Sequence, residues 1–270
     1  MSDPPAQPRT TRRWRPLLAV LVAIVPLVPI VVALTLSGGG GPAQAGTSPE
    51  HFAPAGPAPT PTATTRGLSV PRGPGTLVAL VVHPTQMHTA PGGRVFAHVG
   101  TKTGFGSPNA MWVARRSGRW LGVVSDLAGN NRLGWIPASA TSLSRVTWEL
   151  HVSLAARRLT VLDHGRTVQR YTIAVGAPAS PTPTGRFAVT DRLNTGDPSG
   201  PYGCCILALS AVAPHAIQGW DGGNRVAIHS TPETSTIGDD VSHGCMRLTL
   251  PEGRWLLQHI PLGTPTIITS

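Results

Sequence analysis

At 270 residues the chain is long enough for one large domain or two small ones. Only 13% of its residues are charged and 5% aromatic, while 31 glycines and 28 prolines punctuate it; this excludes a coiled coil, a long charged disordered chain and an all-helical bundle, and favours short strands joined by many turns. The net charge of +10 is concentrated early: thirteen basic and three acidic residues lie up to Arg145, against nine of each from Val146 onward, so the C-terminal half is not expected to form a basic nucleic-acid groove.

Arg9, Arg12, Arg13 and Arg15 precede an uncharged apolar run, Leu17 to Leu36. Twenty residues rising about 1.5 Å each span a hydrocarbon core of about 30 Å, and a membrane helix tolerates Pro26 and Pro29. The reading is a basic cytoplasmic segment (1–16) and a transmembrane signal-anchor helix (17–37), with the remainder on the extracytoplasmic face of the plasma membrane. A cleaved signal peptide is the rival, because Ala43-Gln44-Ala45 has the small residues of a cleavage site. Residues 38–75 hold Gly38-Gly39-Gly40-Gly41 and eight prolines, a spacer able to extend roughly 100 Å.

From residue 76 to 145 short strands and turns alternate. Leu77–Val82, Met111–Ala114, Arg119–Val124 and Gly134-Trp135-Ile136 read as strands, with turns at Ala90-Pro91-Gly92-Gly93, Ser117-Gly118 and Gly129-Asn130-Asn131. Seven basic residues face one acid, Asp126; they read as the solvated surface of a packing module, with attraction to an anionic polymer as the alternative. Trp112, Trp120 and Trp135 read as core.

From Thr147 the apolar alternation sharpens. Trp148–Val152, Arg158–Leu162 and Gln169–Val175 read as strands, the last two joined by a turn at Asp163-His164-Gly165-Arg166. A Gly/Pro-rich excursion runs from Thr182 to about Gly203; Cys205–Leu209, Arg225–His229 and Pro265–Thr269 read as further strands, and Pro251–His259 as a short helix.

Chemistry concentrates between His229 and Arg247. A thiol is mostly protonated near neutral pH and needs a base to become a nucleophile. His229, Ser242-His243-Gly244-Cys245-Met246-Arg247 and the glycine before the cysteine supply an imidazole, a thiol and backbone N–H groups for a developing oxyanion within seventeen residues from His229 to Cys245. His229, His243 and Cys245 also make a conceivable set of three zinc ligands. Cys204 and Cys205 are adjacent, and a bond between neighbours conflicts with the ordinary spacing of about 5.5 Å between bridged Cα atoms. They are read as reduced core thiols, with a site-lining role for one left open. Asp239 and Asp240 read as solvated; His151, His164, His215 and His259 receive no role.

The order His229-x(12)-Ser242-His243-Gly244-Cys245-Met246-Arg247 resembles the L,D-transpeptidase signature of YkuD-type catalytic domains. Val175-Gly176 with Thr182-Pro183-Thr184-Gly185-Arg186-Phe187, and Pro201-Tyr202-Gly203, resemble that family's upstream segments. Residues 118–136, with Gly118-Arg119-Trp120 and Gly134-Trp135-Ile136, resemble bacterial SH3-like barrels. The fold these resemblances imply is mainly β: an SH3-like small barrel (76–145), then a YkuD-type β-sandwich catalytic domain (146–270) with one short C-terminal helix, behind the N-terminal transmembrane helix.

The family resemblance implies Cys245 as nucleophile and His229 as base, oriented through the Ser230 carbonyl. His229 is preferred to His243 because some relatives carry lysine at the latter position. Backbone N–H groups of His243, Gly244 and Cys245 would form the oxyanion hole, and Arg247, Tyr202 and Ser242 would contact substrate, with Arg247 on a carboxylate. Many members have glycine where Ser230 stands and asparagine where Arg247 stands. The implied reaction forms 3→3 peptidoglycan cross-links through a cysteine acyl-enzyme on stem peptides; carbapenem-type β-lactams would acylate the same thiol, and no metal or organic cofactor is implied. An L,D-carboxypeptidase using water, and a non-catalytic wall-binding protein, are the alternatives. In NlpC/P60 peptidases, which also pair SH3-like modules with a Cys/His site, the cysteine precedes the histidine; here it follows.

Overall fold

The computed structural model describes residues 70–214 and 223–270. The expected cytoplasmic segment and transmembrane helix, most of the linker, and His215 lie outside the described residues. No helix among the described residues is long and apolar enough to cross a membrane.

Residues 76–146 form a seven-stranded antiparallel sheet from β1 (Thr76–Val81), β2 (Thr85–His88), β3 (Val95–Val99), β4 (Ala110–Ser117), β5 (Trp120–Val124), β6 (Leu133–Pro137) and β7 (Thr141–Val146), ordered β3-β2-β6-β5-β4-β1-β7. Its core gathers Val81, Met87, Leu121, Val123 and Ile136. Strands β2, β3 and β7 were not anticipated, because exposed polar residues such as Gln86, His98 and Arg145 interrupt their apolar pattern. Trp112 is buried, though not in this core: it packs with Val124 on Ala188 of the following sheet.

The second half is an eight-stranded mixed sheet: β8 (Trp148–Ser153), β9 (Arg158–Asp163), β10 (Arg166–Thr172), β12 (Gly185–Asn194), β13 (Cys205–Val212), β14 (Arg225–Ser230), β16 (Met246–Leu248) and β17 (Pro265–Thr269), in the order β10-β9-β8-β17-β12-β13-β14-β16. Two short strands, β11 (Val175–Gly176) and β15 (Asp240–Ser242), pair beside it. The helix α1 (Leu250–His259) starts at a capping box in which Thr249 N–H donates to Glu252 Oε2 at 2.8 Å, with Pro251 in its first turn, where a missing N–H costs nothing. Leu256 and Ile260 carry its apolar side into the main core. The fold is mainly β with one short helix.

The expected irregular excursion after Thr182 begins instead with the ten-residue strand β12. Its residues 187–191 are all buried, so no polar/apolar alternation marks it. Phe187 and Val189 face the main core, while Ala188 packs on Trp112 and Asp191 accepts a hydrogen bond from Thr103 Oγ1 across the seam. Polar staples complete this docking. Asn130 Nδ2 donates to the Val212 carbonyl at 2.7 Å while Val212 N–H donates to Asn130 Oδ1 at 2.9 Å, and Arg225 pairs with Asp126 at 2.8 Å.

The reading of Cys204 and Cys205 as free thiols is corrected: their sulfurs are joined. The Cα atoms stay 3.8 Å apart. Both residues are buried, with the Cys204 sulfur 3.5 Å from Ser230 Oγ of β14 and 3.8 Å from the Leu250 carbonyl of α1.

Candidate active site

The period of two along a strand sorts the residues of β13, β14 and β16 onto two faces. Leu207, Leu209, Val226, Ile228, Met246 and Leu248 point into the main core. The alternate residues point the other way, where Ile206, Ala227 and Cys245 cluster under Tyr202. Strands β14 and β16 are parallel with Ile228 opposite Met246 and His229 opposite Arg247. That register sets Cys245 beside Ala227 and puts His229, Cys245 and Arg247 on one face. A parallel neighbour needs a long connection, which is why residues sixteen apart, His229 and Cys245, share one face.

His229 is 3% exposed, and its Nδ1 lies 2.8 Å from the Ser230 carbonyl oxygen. A carbonyl only accepts, so Nδ1 carries the proton and Nε2 presents its lone pair. Tyr202 closes edge-on against the imidazole, ring centroids 4.9 Å apart. Burial pushes the His229 pKa down to about 4, the Ser230 carbonyl opposing and the Arg247 charge assisting. Cys245 is 5% exposed, and burial pushes its thiol up to about 11 against a backbone hydrogen bond from Ala227 and the Arg247 charge. Near neutral pH both groups are therefore uncharged.

The loop before β16 is closed by Ser242. Its buried hydroxyl donates to the Cys245 carbonyl and accepts from Gly244 N–H at 3.1 Å. Ser242, expected among the substrate contacts, thus uses its hydroxyl within the loop, and the Gly244 N–H expected in the oxyanion hole is already engaged. Gly244 sits at φ +113°, a conformation open to glycine and strained for other residues. His243 is exposed at the loop's surface. Arg247 is half-buried, and its Nε has no hydrogen-bond partner among the described residues.

Two supports escaped a sequence reading. Thr182 receives Gly176 N–H at its Oγ1 and donates that hydroxyl to the Gly244 carbonyl, both at 2.9 Å, tying the Thr-Pro-Thr-Gly segment to the nucleophile loop. Ser230 is walled in. Its Oγ accepts Cys205 N–H at 3.1 Å, and a Cβ on Gly203 would lie 2.5 Å from that oxygen, one on Gly253 of α1 2.8 Å from Ser230 Cβ. Glycines at 203 and 253 leave the room that the Ser230 side chain occupies. Asp240 is exposed, as expected, and also forms a two-pronged ion pair with Arg157 at 2.8 and 3.0 Å. Among the described residues no three His, Cys, Asp or Glu side chains are grouped as metal ligands.

The sequence model of the YkuD L,D-transpeptidase catalytic domain matches residues 147–268. The putative L,D-transpeptidase YkuD of Bacillus licheniformis is 33% identical over 124 residues, 46% of this chain and 67% of that protein. This chain belongs to the YkuD family of L,D-transpeptidase catalytic domains. Within that family the putative L,D-transpeptidase YqjB of Bacillus subtilis is 30% identical over 129 residues, covering 44% of this chain and 69% of its own. Among solved structures, an L,D-transpeptidase from Mycobacterium smegmatis aligns with a TM-score of 0.37 at 22% identity, over 51% of this chain and 73% of that one.

Proposed function

We propose that the chain is a cysteine-dependent peptidoglycan L,D-transpeptidase that forms 3→3 cross-links. The observation that carries this is the His229 tautomer: with Nδ1–H given to Ser230, the free Nε2 lies on the strand face that carries Cys245. Cys245 Sγ attacks the carbonyl preceding the terminal D-Ala of a tetrapeptide stem, and the thiol proton passes to His229 Nε2. The tetrahedral oxyanion is met by the backbone N–H groups of His243 and Cys245. Collapse transfers the proton to the departing D-Ala amine and leaves a thioester. An uncharged side-chain amine of a second stem attacks that thioester, gives its proton to His229, and the thiolate leaves and is reprotonated.

Because the resting groups are neutral, each half-reaction starts without separated charge in a buried pocket, and the positive charge on His229 arises only as the oxyanion forms. Arg247, with its unpartnered Nε, suits a substrate carboxylate. A strained β-lactam carbonyl is an equivalent electrophile, so carbapenem-type acylation of Cys245 belongs to the same proposal. The first sheet is read as an SH3-like module and the second as the YkuD-type sandwich. The enzyme is placed at the extracytoplasmic face of the membrane, anchored by residues 17–37, the site requiring no cofactor. Incubation with a disaccharide tetrapeptide tests the reaction. A dimer mass supports the transpeptidase; tripeptide alone makes the enzyme an L,D-carboxypeptidase, and no consumption of the tetrapeptide overturns both.

A further inference from the structure

A surface cleft of about 290 Å³ opens at the seam between the two sheets, away from the nucleophile. Arg115 of β4, Arg132 just before β6 and Arg186 at the start of β12 line it, with Asn131 and Leu133 and without a single Asp or Glu. Among the described residues none of the three arginines is ion-paired. Among the described residues only Arg157 and Arg225 meet carboxylates, so what sets these three apart is that they line one hollow. Three permanently charged guanidinium groups facing one hollow repel each other, and no carboxylate in its lining offsets that.

The cleft is also held in shape. The Arg186 guanidinium lies over the Trp112 ring, 4.5 Å from its centroid. Asn131 fixes the segment from both sides, donating Nδ2 to the Thr184 carbonyl at 3.1 Å and accepting Arg186 N–H at Oδ1 at 3.2 Å. Stacking leaves the edges of a guanidinium, which carry its donors, free to point outward. The positive surface continues along the β4–β5 hairpin, where Arg116 and Arg119 are exposed.

A lone carboxylate carries one charge and occupies one guanidinium fork. Three forks ask for more oxygens and more charge than that. We infer that this cleft binds a phosphoryl-bearing polyanion, a phosphodiester-linked polymer laid across the seam, and so holds the enzyme on its surroundings independently of its catalytic site.

The test is a titration of the full chain in non-ionic detergent with a short poly(glycerol phosphate), followed by Trp fluorescence and calorimetry, beside poly-glutamate of equal charge. The phosphate polymer should bind and weaken with salt. Arg115→Gln, Arg132→Gln and Arg186→Gln should each cost about tenfold in affinity, the scale of a charge-assisted hydrogen bond, with β-lactam acylation unchanged. Arg170→Gln, an exposed arginine on β10, should bind as the parent does. Equal losses in Arg170→Gln, or cleft variants that bind normally, would overturn the site; poly-glutamate binding as tightly would overturn the phosphoryl assignment.

Discussion

The protonation state of His229 is where burial makes the sharpest demand on kinetics. Acylation of Cys245 needs an unprotonated imidazole, and burial places that imidazole's pKa at about 4 in place of 6.5. At pH 5 an ordinary histidine is only about 3% neutral, whereas one at 4 is about 90% neutral, a gap of roughly thirtyfold in active enzyme. The acylation rate should therefore hold nearly level from neutral pH down to about pH 5 and fall only as the solution approaches pH 4. No rise tracking thiol ionisation is expected until well above pH 9, because burial raises the Cys245 thiol to about 11. The assay is the second-order rate of carbapenem ring opening between pH 3.5 and 9.5, read for the parent and for His229→Ala. The variant should lose about a hundredfold or more and the acidic limb with it. An acidic limb centred near 6.5, or thiolate absorbance at pH 7, would refute the neutral-pair argument. A larger loss in His243→Ala than in His229→Ala would move the base to His243.

Three further outcomes follow from the same contacts. Because the folded chain lowers the His229 pKa, the unfolded chain takes up the proton first; stability held above pH 6.5 should decline between 6.5 and 4 by up to about 3 kcal/mol from this group, and His229→Gln should flatten that part of a denaturant-midpoint profile against pH. Thr182→Val removes the link to Gly176 N–H and the Gly244 carbonyl and should slow acylation about tenfold, without loss of the circular-dichroism spectrum of the fold. Gly203→Ala drives a methyl against Ser230 Oγ and should cost about 1–3 kcal/mol of stability; Ser230→Gly should recover part of it, a coupling read from a double-mutant cycle in urea.

Much of the site is legible in the sequence because it is local in chain or regular in period. Cys245, Gly244 and Ser242 sit in one hexapeptide, and the alternation Val226-Ala227-Ile228-His229 already puts the base on the face opposite the core residues. What the sequence hides depends on contacts between distant segments. β12 is masked because residues of the first sheet cover its other face, so Thr190 and Asp191 look like loop residues while being buried. Asn130 and Asn131 look like turn formers, and they do turn the chain, yet their side chains also clamp Val212 and Thr184. Ser242 has a substrate-binding residue type beside a nucleophile; only the folded loop shows its hydroxyl satisfied by Gly244 and Cys245. The Cys204–Cys205 bond runs against the ordinary spacing of bridged Cα atoms, and nothing in the sequence shows that Ser230 and α1 lie beside Cys204.

The central claim is that Cys245 carries the acyl group. Intact-mass and peptide-mapping mass spectrometry of the full chain, quenched in acid during turnover of a disaccharide tetrapeptide, tests it most directly. The account predicts a covalent adduct equal to the stem without its terminal D-Ala, on the peptide that contains Cys245, and no adduct on Cys245→Ala, whose spectrum of secondary structure should match the parent. An adduct that persists on Cys245→Ala, or that maps to another residue in the parent, would contradict it.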